Sequence, residues 1–243
     1  MLFRFSSILT LAAVSAMAAT WDVPDTGNVA TNGVNFQSAI NSATCGDTIV
    51  LHAGVEYRTA NVNGSQFVLP HKTTAECNLA SPGYIDITSS AIASLPAGVR
   101  VSPSSTSSMP KINGYRGTLA LFLIAYNAHH YRLSGLYITA DPNVITQNEE
   151  VFSLIAVDYY GDTPANWADS IVIDRCVLTP GTESGSSPFR TSSVGINAAG
   201  TNWTLTNSYI YNIEGSHSQA ATATVTAATN ASPSVFSSTY GAQ

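Results

Sequence analysis

The residue types most able to do chemistry lie in the second half of the chain, where several aspartates fall in predicted loops. Asp158 ends an apolar stretch, Asp162 follows it in a glycine-containing turn, and Asp169 lies further along. A glycoside hydrolase holds two carboxyl groups about 5 to 9.5 Å apart, on either side of the bond that it cleaves. Asp158 with Asp162, or Asp158 with Asp169, is therefore a candidate catalytic pair.

A second concentration of reactive side chains is the run Asp174-Arg175-Cys176, which interrupts a β-forming stretch. Its surroundings recur. One pattern of apolar residues is shared by HYRLSGLYI, SIVIDRCVL and NWTLTNSYI, at positions 130–138, 170–178 and 202–210. In each copy, apolar residues alternate on both sides of a two-residue step. This alternation predicts two short strands, each with one face buried, joined by a tight bend.

The two-residue step decides how the reactive run is interpreted. Asp174-Arg175 takes the place that Ser134-Gly135 and Thr206-Asn207 take in the other copies. Such bends favour side chains that hydrogen-bond to the nearby backbone and residues that tolerate a left-handed conformation, so Arg175 is the unusual member. We therefore interpret Asp174-Arg175 as a corner of the backbone rather than an active site, with Cys176 as the first inward residue beyond it.

The repeat extends to larger units. Further apolar stretches accompany the three copies, at 118–125, 151–158 and 194–200, so each unit is predicted to hold three short strands. Units of this kind bury their inner faces only by stacking on their neighbours. The sequence therefore predicts a β-solenoid.

A short amphipathic helix is predicted ahead of the first coil. After a candidate N-cap at Asn35, apolar residues have the spacing of one helical face: Phe36, Ala39, Ile40 and Ala43. A solenoid needs such a lid, because its first coil would otherwise expose its core and an unpaired edge.

These segments resemble a known family. FQSAINSATCGDTIVLHAGVEY, AHHYRLSGLYIT and SIVIDRCVL are similar to segments of secreted right-handed parallel β-helix proteins of the pectate-lyase-like superfamily, and the resemblance covers about residues 33–215. It implies an all-β fold, a right-handed single-stranded parallel β-helix with a short N-terminal capping helix. Its implication for function is coarse, because members include polysaccharide lyases, hydrolases and proteins with no known reaction.

The resemblance also implies where chemistry takes place. In enzymes of this superfamily, substrate lies along one parallel sheet and its flanking loops, where carboxylates hold Ca²⁺ and an arginine or lysine removes the proton α to a uronate carboxylate. Because Ca²⁺ takes about six to eight oxygen ligands, two or three convergent acids are a minimum. Asp158 and Asp162 are the candidate metal ligands. The candidate catalytic residues are Asp158, Asp162, Asp169 and Arg190.

The end of the chain departs from the family. After Gln219 the repeat pattern stops, and residues 216–243 form a low-complexity segment rich in Ser, Ala and Thr, a composition typical of disorder. Family members usually continue through several more coils. We expect a β-helix domain over residues 20–215 that is truncated, with an open C-terminal end.

A binding protein without catalysis is the alternative function, as a cell-surface or adhesion β-solenoid. Outward positions of the repeat strands align Tyr137, Val177 and Tyr209 on one exterior face, and Arg132, Val172 and Thr204 on the neighbouring one. Exposed aromatic rings in a row suit stacking on sugars. Tyr137 and Tyr209 are therefore candidate substrate-binding residues.

The pair His129-His130 is not predicted to bind a metal. Adjacent residues on a strand point to opposite faces, so the two rings are not expected to share one ion. No third ligand lies at metal-site spacing in the sequence.

Residues 1–19 are predicted to be a secretory signal peptide. Arg4 precedes an apolar run at 8–14, and residues 16–18, Ala-Met-Ala, form a small-x-small cleavage pattern. The apolar run is too short to span a bilayer, and no other stretch is long enough. We expect a secreted protein, extracellular or periplasmic, in which Cys45 and Cys77, both beside turn residues, form a disulfide. Cys176 is expected to be free and buried.

Composition limits the partners that the protein can have. The chain has 243 residues, of which 44% are hydrophobic and 10% charged, as expected of one folded domain. Its formal net charge is −6, and it becomes −7 when Arg4 leaves with the signal peptide. An acidic chain is not expected to bind nucleic acid or anionic membrane surfaces. The expected partner is extracellular or cell-wall polysaccharide, and the expected state is a monomer.

Overall fold

Parallel strands of three sheets follow one another along the chain in a repeating order. The computed structural model describes residues 18–59, 66–114, 120–140, 153–158, 166–180, 194–211, 213, 221–223 and 238–240. Strands are numbered below in chain order.

The first sheet contains the strands that precede the predicted corners. They are β1 (Thr20–Val23), β2 (Thr48–Leu51), β5 (Ile85–Ser89), β8 (His129–Ser134), β11 (Ala168–Asp174), β14 (Gly200–Thr201) and β15 (Thr204–Thr206). Both β14 and β15 pair with β11. All pairings in this sheet are parallel.

The other two parallel sheets complete each coil. The second sheet contains β3 (Glu56–Arg58), β6 (Lys111–Gly114), β9 (Tyr137–Ala140), β12 (Val177–Thr179) and β16 (Tyr209–Ile210). The third contains β4 (Phe67–Leu69), β7 (Ala120–Ile124), β10 (Ser153–Val157) and β13 (Val194–Asn197). Because the chain visits the three sheets in turn and then returns to the first, these elements confirm the predicted parallel β-helix.

Two 3₁₀ helices and one pair of strands lie outside this coiled order. Two 3₁₀ helices, Ile92–Ser94 and Pro103–Ser108, lie between β5 and β6. Near the end of the chain, β17 (Ala221–Ala223) and β18 (Ser238–Tyr240) form an antiparallel pair.

The strand register confirms the alignment of the three sequence repeats. Ile173 is paired with Leu133 of the preceding coil and with Leu205 of the following one. Beyond the corner, Leu178 is likewise paired with Ile138 and Ile210. Matching side chains of successive coils therefore stack inside the helix, which is how short strands obtain a continuous core.

The corner that separates the first and second sheets has the predicted backbone. Gly135, Arg175 and Asn207 occupy its second position in three successive coils, with φ angles of 66°, 51° and 51°. Only glycine adopts this left-handed conformation without a steric penalty, and asparagine tolerates it better than most residues. Asp174-Arg175 is thus a corner, and Arg175 is its sterically least favourable member.

A capping helix, α1 (Val29–Ser42), covers the N-terminal coil. It begins earlier than predicted: the N-cap is Asn28, whose side chain accepts hydrogen bonds from the backbone of Ala30 and Thr31, so the assignment of Asn35 as N-cap is wrong. Phe36 and Ile40 on its inner face are fully buried. At Gly33, an added Cβ would lie 1.7 Å from the carbonyl oxygen of Arg58, so glycine is what allows the close approach to β3.

The helix closes an aromatic end of the core. The rings of Phe36, Tyr57, Phe67 and Phe122 pack against one another, with centroid separations between 4.9 and 6.1 Å. Such rings bury large apolar areas, which is the dominant favourable contribution to folding.

The cysteines have the predicted arrangement. A disulfide joins Cys45 and Cys77, next to the end of α1. Cys176 is free and fully buried, and burial raises the pKa of its thiol to about 12. An apolar, buried thiol of this kind is unreactive, which agrees with the interpretation of Cys176 as a core residue.

Burial of the repeated core position decreases at the last described coil. Leu133 and Ile173 are 0% and 1% exposed, whereas Leu205 is only partly buried. Among the described residues, no strand covers the far side of β15.

We expect Leu133→Ala to lower the free energy of unfolding by about 2 to 5 kcal/mol, the usual cost of emptying a buried leucine site. Leu205→Ala removes the same atoms from a half-covered position and is expected to cost less. Urea unfolding followed by circular dichroism measures both values. Equal losses would show that Leu205 is as deeply buried as Leu133, contrary to the structure.

Candidate functional site

A surface groove crosses the outer face of the first sheet. Its volume is about 370 Å³, and it is lined by Thr48, Asp86, Thr88, Ile92, Arg132, Ser134, Asp174 and Arg175. Seven of these eight residues belong to the first sheet or to its corner. Because side chains alternate across a strand, outward-facing residues of β2, β5, β8 and β11 line the groove while their neighbours fill the core.

An ion pair between successive coils forms part of the groove. Asp86 of β5 and Arg132 of β8 are register partners, and Nη1 of Arg132 lies 3.0 Å from Oδ1 of Asp86. The guanidinium carbon of Arg132 lies 4.5 Å from the ring centroid of Tyr84, a cation–π contact. Burial raises the pKa of Asp86, against the opposing effect of Arg132.

The corner supplies the second pair of charged groups. Nε of Arg175 donates to Oδ2 of Asp174 at 2.7 Å, and Nη1 of Arg175 donates to the carbonyl of Leu95 at 2.7 Å. The other oxygen of Asp174 accepts hydrogen bonds from Thr206 and Asn207, both at 3.0 Å. Although burial opposes ionisation, these three donors together lower the pKa of Asp174. Asp174 therefore fixes the corner as an anion and also faces the groove.

Sequence reasoning missed this site. Asp174 and Arg175 form the predicted corner, and the same two residues also line the groove. Asp86 was missed because the N-terminal coils were not aligned with the repeat. A usable signal was present in YIDITSS, where the alternation places Asp86 on the outer face between Ile85 and Ile87.

The predicted catalytic residues are only partly described. Asp158 directly follows β10 and is partly exposed, and its backbone N–H donates to the carbonyl of Ile124 at 2.8 Å. Asp162 and Arg190 lie outside the described residues. The third sheet, which Asp158 follows, is apolar near this residue: Leu121 and Leu154 are fully buried members of the core.

Asp169 links two coils. Its Oδ1 accepts hydrogen bonds from Thr201 and from Nδ2 of Asn202, the latter at 2.7 Å, and its Oδ2 accepts one from Ser170 at 2.8 Å. Burial opposes ionisation, but the hydrogen bonds and the nearby His130 lower the pKa of Asp169. An anion satisfied in this way stabilises the stacking of β11 on the next coil.

The Ca²⁺ site predicted at Asp158 and Asp162 stays a prediction, because Asp162 is not described. Within the described part of the chain, no group of three or more His, Cys, Asp or Glu side chains could hold a metal ion.

The expectation that His129 and His130 point to opposite faces is wrong. His130 has a φ angle of 57°, which breaks the alternation of the strand and brings the two Nδ1 atoms within 3.0 Å. The ring of His71 lies 5.6 Å from that of His129. Burial, followed by the charges of His130 and His71, lowers the pKa of His129.

The tyrosine row has the predicted register but not the predicted exposure. Tyr137 and Tyr209 are both paired with Val177 on the second sheet. They pack, however, against an apolar cluster that includes Leu95 and Met109, and Val177 is fully buried. Residues 91–109 therefore cover a face that was expected to be open. The neighbouring row of Arg132, Val172 and Thr204 on the first sheet has the predicted register.

The chain has a distant structural likeness to a known protein. No family model matches the chain, and no curated protein matches it. A solved structure, the crystal structure of alginate lyase from Paenibacillus sp. str. FPU-7, superposes with a TM-score of 0.47 and 18% sequence identity. The match covers 80% of this chain and 45% of that one, so this chain spans less than half of that structure's length.

The described residues include no helix that is long and apolar enough to cross a membrane.

The two groove aspartates are expected to affect the pH dependence of stability in opposite directions. Because the pKa of Asp174 is lowered in the folded state, this residue stabilises the fold at pH values above the ordinary aspartate pKa of about 3.9. That stabilisation is lost as the pH falls through the folded-state pKa of Asp174. Because the pKa of Asp86 is raised in the folded state, its contribution to the free energy of unfolding is fully present below about pH 3.9. That contribution is lost as the pH rises through the folded-state pKa of Asp86.

Urea unfolding at closely spaced pH values from about 2 to 7 tests this difference. We expect Asp174→Asn to flatten the increase of unfolding free energy at the acid end of this range. In the wild-type protein, ionisation of Asp86 is expected to decrease the free energy of unfolding above about pH 4, and Asp86→Asn is expected to remove that decrease. Changes of the same sign in both variants would contradict the assigned environments.

Proposed function

We propose that this protein binds a polysaccharide of the extracellular space or cell wall, along the outer face of the first sheet. The observation that carries the proposal is the groove itself, whose floor comes from the four successive strands β2, β5, β8 and β11. Neighbouring strands lie about 4.8 Å apart. A linear glycan is an elongated ligand with a regular repeat, and the floor of the groove presents polar side chains at a regular strand spacing along its length.

The chemistry of the groove suits a ligand rich in hydroxyl groups. Arg132 and Arg175 are hydrogen-bond donors, Asp86 and Asp174 are acceptors, and the hydroxyl groups of Thr48, Thr88 and Ser134 can act as either. The ring of Tyr84 next to Arg132 adds an aromatic surface. Since two arginines balance two aspartates, the groove favours a neutral or weakly charged glycan over a dense polyanion. The acidic net charge of the chain favours the same class.

Secretion is part of the proposal. The predicted signal peptide supports it, and so does the disulfide, since disulfides persist mainly in oxidising compartments. We also propose that the protein acts as a monomer.

Cleavage of the glycan is the second candidate function. The environments of Asp86 and Asp174 move their pKa values in opposite directions, which is the relation between the acid and the base of a glycoside hydrolase. Their strands, β5 and β11, are two apart, and Asp174 lies two residues beyond Val172, which is in register with Asp86 through Arg132, so the two backbone positions are roughly 12 Å apart. Retaining enzymes hold their carboxyl groups about 5 Å apart and inverting enzymes about 6.5 to 9.5 Å. The groove therefore fits only an inverting mechanism, in which both side chains lean toward each other.

Lyase-like cleavage remains a proposal as well. It would use the Ca²⁺ ligands Asp158 and Asp162 and the base Arg190, as the superfamily resemblance implies. The described residues favour binding without cleavage over either cleavage reaction. Asp86, Asp169 and Asp174 all form hydrogen bonds with neighbouring side chains, so these carboxylates are already engaged within the fold.

We expect the purified protein to bind at least one polysaccharide in a panel of neutral and uronate-containing glycans, measured by affinity electrophoresis and calorimetry. Arg132→Ala should weaken that binding by about tenfold or more, since losing a hydrogen bond to a charged group costs about 1.5 to 3 kcal/mol. Arg100→Ala is the matched control, because its guanidinium lies 4.7 Å from the ring centroid of Tyr209 on the covered face.

The two arginine variants separate the candidate faces. Failure of the wild-type protein to bind any glycan in the panel would overturn the proposed function. Loss of binding in Arg100→Ala but not in Arg132→Ala would instead place the ligand at the face of Tyr137 and Tyr209.

Cleavage is tested on the same panel with and without Ca²⁺, by following reducing ends and the absorbance of unsaturated products. If the groove hydrolyses glycans, reducing ends appear without unsaturated products, and Asp86→Asn and Asp174→Asn each lower the rate by about 10²-fold or more. Asp158→Asn and Asp169→Asn are the controls. Loss of activity in these two alone, or Ca²⁺-dependent unsaturated products, would rule out hydrolysis in the groove.

A further inference from the structure

A buried carboxylate lies where the chain enters the fold. Asp47 is 4% exposed, in the turn between α1 and β2. Its Oδ2 accepts hydrogen bonds from Nε1 of Trp21 at 3.1 Å and from the backbone N–H of Thr44 at 2.9 Å. Its Oδ1 accepts one from the backbone nitrogen of Ala19 at 2.7 Å.

All three donors of Asp47 are uncharged in the uncleaved chain. Among the described residues, no Lys, Arg or His side chain lies within ion-pair distance of this carboxylate. Lys72 and Glu76 act on Asp47 only electrostatically, and the ammonium group of Lys72 donates instead to the carbonyls of Ile40 and Asn41. Hydrogen bonds offset part of the desolvation cost of a buried carboxylate, and a paired cation offsets more of it.

The sequence supplies a source for that cation. The small-x-small pattern of residues 16–18 ends immediately before Ala19, and cleavage of such a pattern follows its last small residue. Ala19 belongs to the fold, because its carbonyl also accepts the N–H of Thr48 at 2.9 Å. The boundary predicted from sequence, after residue 19, would remove both contacts.

We propose that the leader is cleaved between Ala18 and Ala19, and that the new α-ammonium group of Ala19 forms an ion pair with Asp47. A peptidase of the export route catalyses addition of water to this peptide bond. The hydroxyl group goes to the carbonyl carbon of Ala18, which leaves as a carboxylate, and the nitrogen of Ala19 gains two protons. Cleavage thus converts a neutral hydrogen bond into a charged one at the same atom.

This arrangement couples maturation to the stability of the first coil. In the described part of the chain, β1 is an edge strand that pairs only with β2. The ion pair fixes the start of β1 to the turn that begins β2. The inference does not depend on the proposed glycan binding.

Three forms of the mature chain test the ion pair: one that begins with a free Ala19, the same chain N-acetylated at Ala19, and Asp47→Asn with a free Ala19. Acetylation keeps the donor at the nitrogen but removes its charge, as the leader does. At pH 7 we expect the free form to have a higher urea midpoint than the acetylated one.

The pH dependence and a double variant complete the test. Pairing with Asp47 raises the pKa of the α-ammonium above its ordinary value of about 8. Its stabilisation is therefore complete below about pH 8 and lost as pH rises through the folded-state pKa, so the two midpoints should converge as the pH is raised above that value. In the Asp47→Asn background, acetylation should shift the midpoint by less. Equal urea midpoints of the free and acetylated forms at pH 7 would overturn the ion pair. This comparison does not need the Asp47→Asn variant, so it decides the question even if that variant fails to fold.

Mass spectrometry of the exported protein tests the cleavage site independently. The expected first residue is Ala19. A mature chain that begins at any other residue would overturn the proposed site.

Discussion

The structure depends on the stacking of equivalent side chains in successive coils. Each strand is short and buries only one face, so it is stable only while a neighbouring coil supplies the contact across the core. Leu133 and Ile173 are almost fully buried because both neighbours are present, whereas Leu205 is less covered. The same register that aligns these residues inside the helix also aligns every second residue outside. The groove follows from it, since Asp86 and Arg132 meet as register partners.

Much of this could be predicted from the sequence where the chain repeats itself. The three nine-residue copies fixed the register of Leu133, Ile173 and Leu205, the left-handed corner at Arg175 and the inward position of Cys176, because alternation and bend chemistry are local properties. The N-terminal coils lack a comparable repeat. Asp86 contacts Arg132 across 46 residues of sequence, and without an alignment of β5 and β8 that contact could not be inferred.

Other differences have local causes. The first turn of α1 contains Thr31 and Asn32, so apolar periodicity became visible only near Phe36 and the N-cap was placed too late. At His130, a left-handed residue inside β8 cancelled the alternation from which the two histidines were assigned to opposite faces. The tyrosine row was expected to be open because residues 91–109, with their short 3₁₀ helices, have no sequence pattern that reveals where they pack. The segment reaches the last described coil, where Val101 N–H donates to the carbonyl of Asn207 at 2.8 Å.

A crystal structure of the mature protein bound to an oligosaccharide from the best-binding glycan tests most directly the proposed binding along the outer face of the first sheet. We expect sugar rings along the outer face, near Tyr84 and Arg132 and extending toward Asp174 in the later coil. Rings bound instead at Tyr209, or in the loops around Asp158, would contradict the assignment of the groove while leaving the fold intact.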